Sequence, residues 1–350
     1  MNKKLSRCIK YINIILAIFI VILHSKNYVY YENNSELINI TVKIEEFFTK
    51  YIFSCAVPFL FFISGYLFYQ NIEEKSIYKK IKSRVTTLLI PYILWNIIST
   101  VYFVSMLYIP FIKNKISIEH IGGIKGLLQS IFLFKYNQIN WFVFQLIIYV
   151  AISPIIYKII KNKFLSVVLG GVLFCVSLIG IDTRFISVCS FKPVFRIDCL
   201  LYYFLGAIAG YYFKNIIMES ANKTNKKSII IAVLLILLSF LIVSINTHHF
   251  EIIAYILQIV ALYILIKDIG ELEIIEKISR HIDPFFLLQT HYFIMYPLKK
   301  IVAGMFYKIS CSALISYFMC PFITILIIYI MGRWLKDKEF KWYRILIGGR

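Results

Sequence analysis

The sequence predicts an all-α polytopic membrane fold with about ten transmembrane helices, and three observations carry that prediction. The chain of 350 residues is 60% hydrophobic and only 16% charged, with a mean hydropathy of +0.78. Water-soluble domains are roughly 45–50% apolar and about 25% charged. The apolar residues also gather in runs near the ~20 residues that one bilayer-crossing helix requires. Finally, Lys and Arg collect between alternate runs, the pattern expected of cytoplasmic loops. This composition excludes an intrinsically disordered chain, a coiled coil and a secreted disulfide scaffold.

The runs follow one another in order. The first, 11–31, is preceded by Lys3, Lys4, Arg7 and Lys10. It exceeds twenty residues without a small-x-small site before Tyr30 and Tyr31, so it reads as a retained anchor rather than a cleaved signal peptide. The second is 51–69, and the third, 85–110, opens at Arg84. Gly126–Phe134 is too short to span and suits a re-entrant or interfacial segment. The fourth and fifth runs are 141–157 and 164–181. The sixth, 199–213, is the shortest apolar core, because Lys192, Arg196 and Asp198 precede it. The last four are 228–247, 250–266, 284–307 and 312–334.

Ten spans place both termini on one side. With that side cytoplasmic, the inner segments hold 25 of the 38 Lys and Arg and the outer ones keep 13, which orients the chain with both termini inside the cell. The net charge of +20 is therefore topological, and its dispersal among loops argues against a nucleic-acid partner. The longest extramembrane stretches, 32–50, 111–140 and 182–198, fall outside. No repeat and no soluble stretch for an appended domain is visible, so residues 1–350 read as one membrane domain. The seven cysteines lack metal-ligand spacing and read as small buried hydrophobes, and no metal site is expected.

Ionisable groups inside spans cost about +2.5–3.5 kcal/mol each at a helix centre on insertion scales, so they are the first candidates for chemistry. His24 lies thirteen residues after Tyr11, about 20 Å from the cytoplasmic end at 1.5 Å per residue. A neutral imidazole can take a proton from a hydroxyl and so suits a general base. The alternative is a histidine of the outer interface bonded to a neighbouring helix. His291 lies about seven residues into the ninth run, ~10 Å from the same end, and so reads as shallower than His24. Catalytic support and helix pairing both remain open for it. Arg84 could bind phosphates bidentately or serve as an ordinary positive-inside residue. Among the outer residues Glu32, Glu36, Glu45, Glu46, Asp182, Arg184, Arg196, Asp198, His248, His249 and Glu251, solvated loop charge is the default, with contact to a polar acceptor the alternative.

Six blocks in order carry a resemblance. They are Ile22-Leu-His24, Phe61-Phe-Ile-Ser64-Gly65-Tyr66-Leu67, Arg84 through Leu88-Leu-Ile-Pro91-Tyr92-Ile-Leu-Trp95, Asn140-Trp141-Phe142, Tyr203-Phe-Leu-Gly206-Ala-Ile-Ala-Gly210, and His291 through Pro297. Together they resemble the acyltransferase 3 family of multi-pass membrane proteins and span nearly the whole chain. The resemblance implies transfer of an acyl group, typically acetyl, from cytoplasmic acetyl-CoA or another acyl-CoA to a hydroxyl of a cell-surface polysaccharide or other envelope glycan. It implies no permanently bound cofactor. The implied partners are the lipid bilayer, the acyl-CoA donor, the glycan acceptor, and glycosyltransferases or polysaccharide-export machinery.

By the same resemblance His24 would be catalytic, Arg84 would hold CoA phosphates, and His291 would support the site. The family pattern has an arginine where this chain has Asn13, and a second arginine where it has Thr87. Asn13 is carried as a supporting position, with Lys10 and Lys82 as nearby cations. These two departures also leave open a non-enzymatic member acting in export of a polysaccharide or amino acid.

Overall fold

The computed structural model describes residues 3–27, 35–106, 108, 122–180, 195–223, 225–245, 250–269, 272–306 and 312–349. Of the residues singled out above, Tyr30, Tyr31, Glu32, Asp182, Arg184, Lys192, His248 and His249 lie outside this set, as does the side chain of Glu36.

In chain order the α-helices are α1 (Lys3–Leu23), α2 (Ser35–Phe47), α3 (Ala56–Tyr69), α4 (Ile77–Arg84), α5 (Ile90–Met106), α6 (Gly123–Phe132), α7 (Trp141–Ala151), α8 (Ser153–Ile160) and α9 (Lys163–Ile179). They continue with α10 (Ile197–Tyr212), α11 (Lys214–Ser220), α12 (Lys226–Ser244), α13 (Glu251–Ile269), α14 (Glu273–His281), α15 (Pro284–Phe306), α16 (Ser312–Asp337) and α17 (Lys341–Leu346). Two π-helical turns interrupt this pattern, Phe48–Phe53 and Val85–Leu89. No strand occurs among the described residues.

All ten apolar runs fall on helices, and the chain is an all-α polytopic membrane protein. Six helical stretches among the described residues are long and apolar enough to cross a bilayer, and α7 with α8, bent by 59°, forms a seventh candidate. The bend falls where Pro154 enters α8, since proline has no N–H and clashes with the preceding turn. Two further runs, α9 and α10, are apolar but shorter. The ninth run, α15, has 23 residues but carries Pro297 and the charged pair Lys299 and Lys300.

Two boundaries differ from the sequence reading. The first run was expected to reach residue 31, but α1 ends at Leu23, where the Ser25 hydroxyl bonds the Ile22 carbonyl at 2.6 Å. The segment before the second run was expected as extramembrane loop. It is helical from Ser35, and a continuous helical stretch runs Asn39–Tyr69.

The described residues divide into two compact units. One comprises Met1–Asn71, Ile159–Ile181 and Ile197–Lys338. Its central element is α1, whose buried residues Leu5, Ile9, Ile12, Ile14, Leu16, Ala17, Ile20 and Val21 surround the helix. A helix apolar on all sides can be buried on all sides, and α1 packs on α3, α13, α14, α15 and α16. Gln258 of α13 ties neighbouring elements together, its amide donating to the Tyr51 carbonyl at 2.8 Å and to Ser239 of α12 at 3.0 Å.

The other unit comprises Ile72–Lys158, Asp182–Arg196 and Glu339–Arg350. Its interior is tied by Asn140, whose amide donates to Asn96 Oδ1 at 2.6 Å, while Asn96 donates to the Ile131 carbonyl at 2.8 Å. Trp95 Nε1 donates to the Leu346 carbonyl of α17 at 3.0 Å. Gly348, with φ +69°, lies against Thr87, and a Cβ there would stand 2.3 Å from the Thr87 carbonyl oxygen.

Candidate active site

The site forms at the C-terminal end of α1. His24 follows the last helical residue, its backbone N–H still bonding the Ile20 carbonyl at 3.1 Å, and its ring is half-buried. His291 of α15 is fully buried. The two rings meet with centroids 5.4 Å apart, inclined at 37°. His291 Nδ1 lies 3.1 Å from the Leu287 carbonyl. A carbonyl only accepts, so Nδ1 carries the proton and Nε2 holds the lone pair. That Nε2 is buried with no hydrogen-bond partner among the described residues.

This meeting corrects the depth reading, which set His291 shallower than His24. The interfacial helix α14 packs on the base of α1, where the Tyr11 hydroxyl donates to Glu276 at 2.9 Å. Helix α15 therefore begins well along α1, not beside Tyr11. Seven residues of α15 then reach the level that α1 reaches in thirteen.

Around the histidines stand groups from four elements of the same unit. Lys299 of α15 donates to the His24 carbonyl at 2.9 Å and to the Lys26 carbonyl at 3.0 Å. Glu45 of α2 accepts from the Asn27 N–H at 3.4 Å and is wholly buried. The default reading made Glu45 a solvated loop charge; its burial, with Asn27 bonded to it and α16 packed on α2, overturns that. Tyr317 of α16 is also fully buried, with its hydroxyl facing Ser25 and Thr49. Both amide atoms of Asn27, Thr49 Oγ1, His291 Nε2 and the Tyr317 hydroxyl are buried without a hydrogen-bond partner among the described residues. Each such atom costs about 1–3 kcal/mol, so their concentration here suits a polar occupant that supplies the missing bonds.

Asn13 is not part of this group, and Arg84 belongs to the other unit. Asn13 is half-buried on α1 eleven residues before His24, about 16 Å along the helix. Arg84 closes α4 in the other unit and is followed by the π-helical turn Val85–Leu89, a geometry frequent at functional sites. Thr87 bonds its own helix through the Ser83 carbonyl at 3.1 Å. Lys10, considered above as an alternative cation, pairs with Glu276 at 3.7 Å. A cleft of about 380 Å³ opens at this base of α1, lined by Arg7, Tyr11, Glu273, Glu276, Lys277 and Arg280. The Tyr11 hydrogen bond, with Lys10 and Arg280 nearby, holds the Glu276 carboxyl below its ordinary value of 4.5. Among the described residues no three His, Cys, Asp or Glu side chains converge as metal ligands.

Sequence reasoning missed Lys299, Asn27 and Tyr317, and carried Glu45 only as one of several outer charges. A signal existed for Lys299, a charge inside an apolar run eight residues after His291, and for Asn27, three residues after His24. Glu45 and Tyr317 carry none, because only the tertiary packing turns them toward the histidines.

The family model for the acyltransferase 3 acyltransferase domain matches residues 7–333. The chain belongs to the acyltransferase 3 family. It is thus a membrane acyltransferase by family. No curated protein and no solved structure shows significant similarity to it. Two of the family-like blocks are packing partners in this acyltransferase. Gly65 of the Ser64-Gly65-Tyr66 block would place a Cβ 2.0 Å from the Tyr203 carbonyl oxygen. A Cβ on Gly206 would stand 1.9 Å from the Phe62 carbonyl oxygen, and one on Gly210 would stand 2.5 Å from that of Tyr66. Small residues four apart let α3 and α10 approach backbone to backbone, as in other membrane helix pairs.

Proposed function

We propose that the protein is an O-acyltransferase that moves an acyl group, acetyl in the simplest case, from cytoplasmic acyl-CoA to a hydroxyl of a cell-surface polysaccharide or other envelope glycan. The observation that carries this reading is the His24–His291 pair, set among buried polar atoms that lack partners. His24 takes the proton of the acceptor hydroxyl as its oxygen attacks the thioester carbonyl. The C–O bond forms, the C–S bond breaks, and the leaving thiolate receives the proton back from the imidazolium. His291, whose Nδ1–H is tied to the Leu287 carbonyl, leaves its unpartnered Nε2 as an acceptor beside His24 for a hydroxyl of the bound substrate. Arg84 holds donor phosphates at the cytoplasmic face, and both termini lie on that face.

The test is chemical analysis of surface glycan from a strain lacking the protein, complemented by wild type or by His24→Ala. Ester-linked acetate lost while polymer amount is kept, and restored by wild type alone, is the expected result. Loss of the polymer itself would contradict the reading and favour an export role.

A further inference from the structure

We infer that Lys299 is a positioning residue for His24: its ammonium ties off the end of α1 by holding the backbone carbonyls of His24 and Lys26, and so fixes where the imidazole is presented beside His291. This inference rests on the acyl-transfer reading of the same site.

The last carbonyls of a helix have no partners within it, and the helix dipole places negative potential there. Within a membrane protein such groups are satisfied by side chains of neighbouring helices. At the end of α1 one cation does this for two carbonyls, His24 O at 2.9 Å and Lys26 O at 3.0 Å. The residue whose ring performs the proposed chemistry thus has its own backbone oxygen held by Lys299. The same helix, α15, supplies His291 two turns earlier, with Pro297 between them. One rigid element therefore sets both the partner ring and the backbone clamp.

Glu45 of α2 and Cys320 of α16 stand near the ammonium, and Glu45 is itself engaged by the Asn27 N–H at 3.4 Å, so the clamp is tied to two further elements of the site.

The experiment measures transfer of labelled acetyl from acetyl-CoA in membranes holding equal amounts of wild type, Lys299→Met, Lys299→Arg and His24→Ala. Lys299→Met is expected to lower kcat roughly tenfold or more with KM for acetyl-CoA unchanged. Lys299→Arg, which keeps the charge and the donors to both carbonyls, should recover most of the lost kcat. Should Lys299→Met fail to accumulate, Lys299→Gln carries the same comparison. Wild-type kcat in the uncharged variant would overturn the inference. So would a loss of kcat that Lys299→Arg does not rescue, the signature of a structural role alone. Full transfer by His24→Ala would overturn the role of His24 and this inference with it, whereas no transfer by wild type would overturn the acyl-transfer reading itself.

Discussion

Gly206→Ala tests how α3 and α10 are held together. The added methyl would stand 1.9 Å from the Phe62 carbonyl oxygen, about 1.4 Å inside the roughly 3.3 Å at which carbon and carbonyl oxygen meet. The obstacle is backbone, so no rotamer change relieves it, and the two helices must part. Between membrane helices packing supplies much of the association, because lipid offers no hydrophobic drive. A gap of 0.5–1 Å already forfeits a quarter to a half of each contact.

Overpacking of this kind costs about 1–3 kcal/mol, offset by about 1 kcal/mol of better helix propensity. Gly304→Ala is the matched control, since a Cβ there meets nothing within 4 Å and only the propensity gain applies. Unfolding of detergent-purified protein by sodium dodecyl sulfate should therefore separate the two variants by about 1–3 kcal/mol, with Gly206→Ala the weaker. Equal stability of the two would refute the claim that the glycine-mediated approach organises this pair.

Two further substitutions probe other parts of the molecule. Glu276→Gln removes a carboxylate held charged by Tyr11, Lys10 and Arg280. Its folded value lies below the ordinary 4.5, so its contribution is present above that value and fades as pH falls through the folded one. The thermal midpoint of wild type should accordingly drop more than that of the variant between pH 6 and pH 4, and parallel drops would contradict the linkage. Asn140→Ala leaves the buried Asn96 Oδ1 without its 2.6 Å donor and should lower stability by about 1–3 kcal/mol in the same unfolding assay. An unchanged midpoint would show that Asn96 finds another partner.

Hydropathy located all ten helical runs because it measures, residue by residue, what bilayer and core alike demand. It could not place helix ends that depend on one hydroxyl. The apolar character of the first run continues past His24, yet Ser25 closes the helix on Ile22. His24 and His291 were each legible as costly polar groups inside apolar runs. Their meeting was not, because the depth of α15 depends on where α14 docks against Tyr11 and Lys10. Lys299 carried the same signal as the histidines and belongs to the same site. Glu45 illustrates the opposite limit: in the sequence it is one acidic residue among several before the second run, and only the fold of α2 against α16, with Asn27 bonded to the carboxylate, buries it. The Ser64-Gly65-Tyr66 block was legible as a pattern, while its use, a close helix approach, became visible only with Gly206 opposite.

The central claim is that His24 removes the proton from the acceptor hydroxyl. Membranes holding equal amounts of wild type and His24→Ala, supplied with acetyl-CoA labelled in the acetyl group, test it most directly. The account predicts label entering envelope material with wild type and a rate lower by roughly 10²–10⁴-fold with the variant. Undiminished transfer by His24→Ala would contradict it.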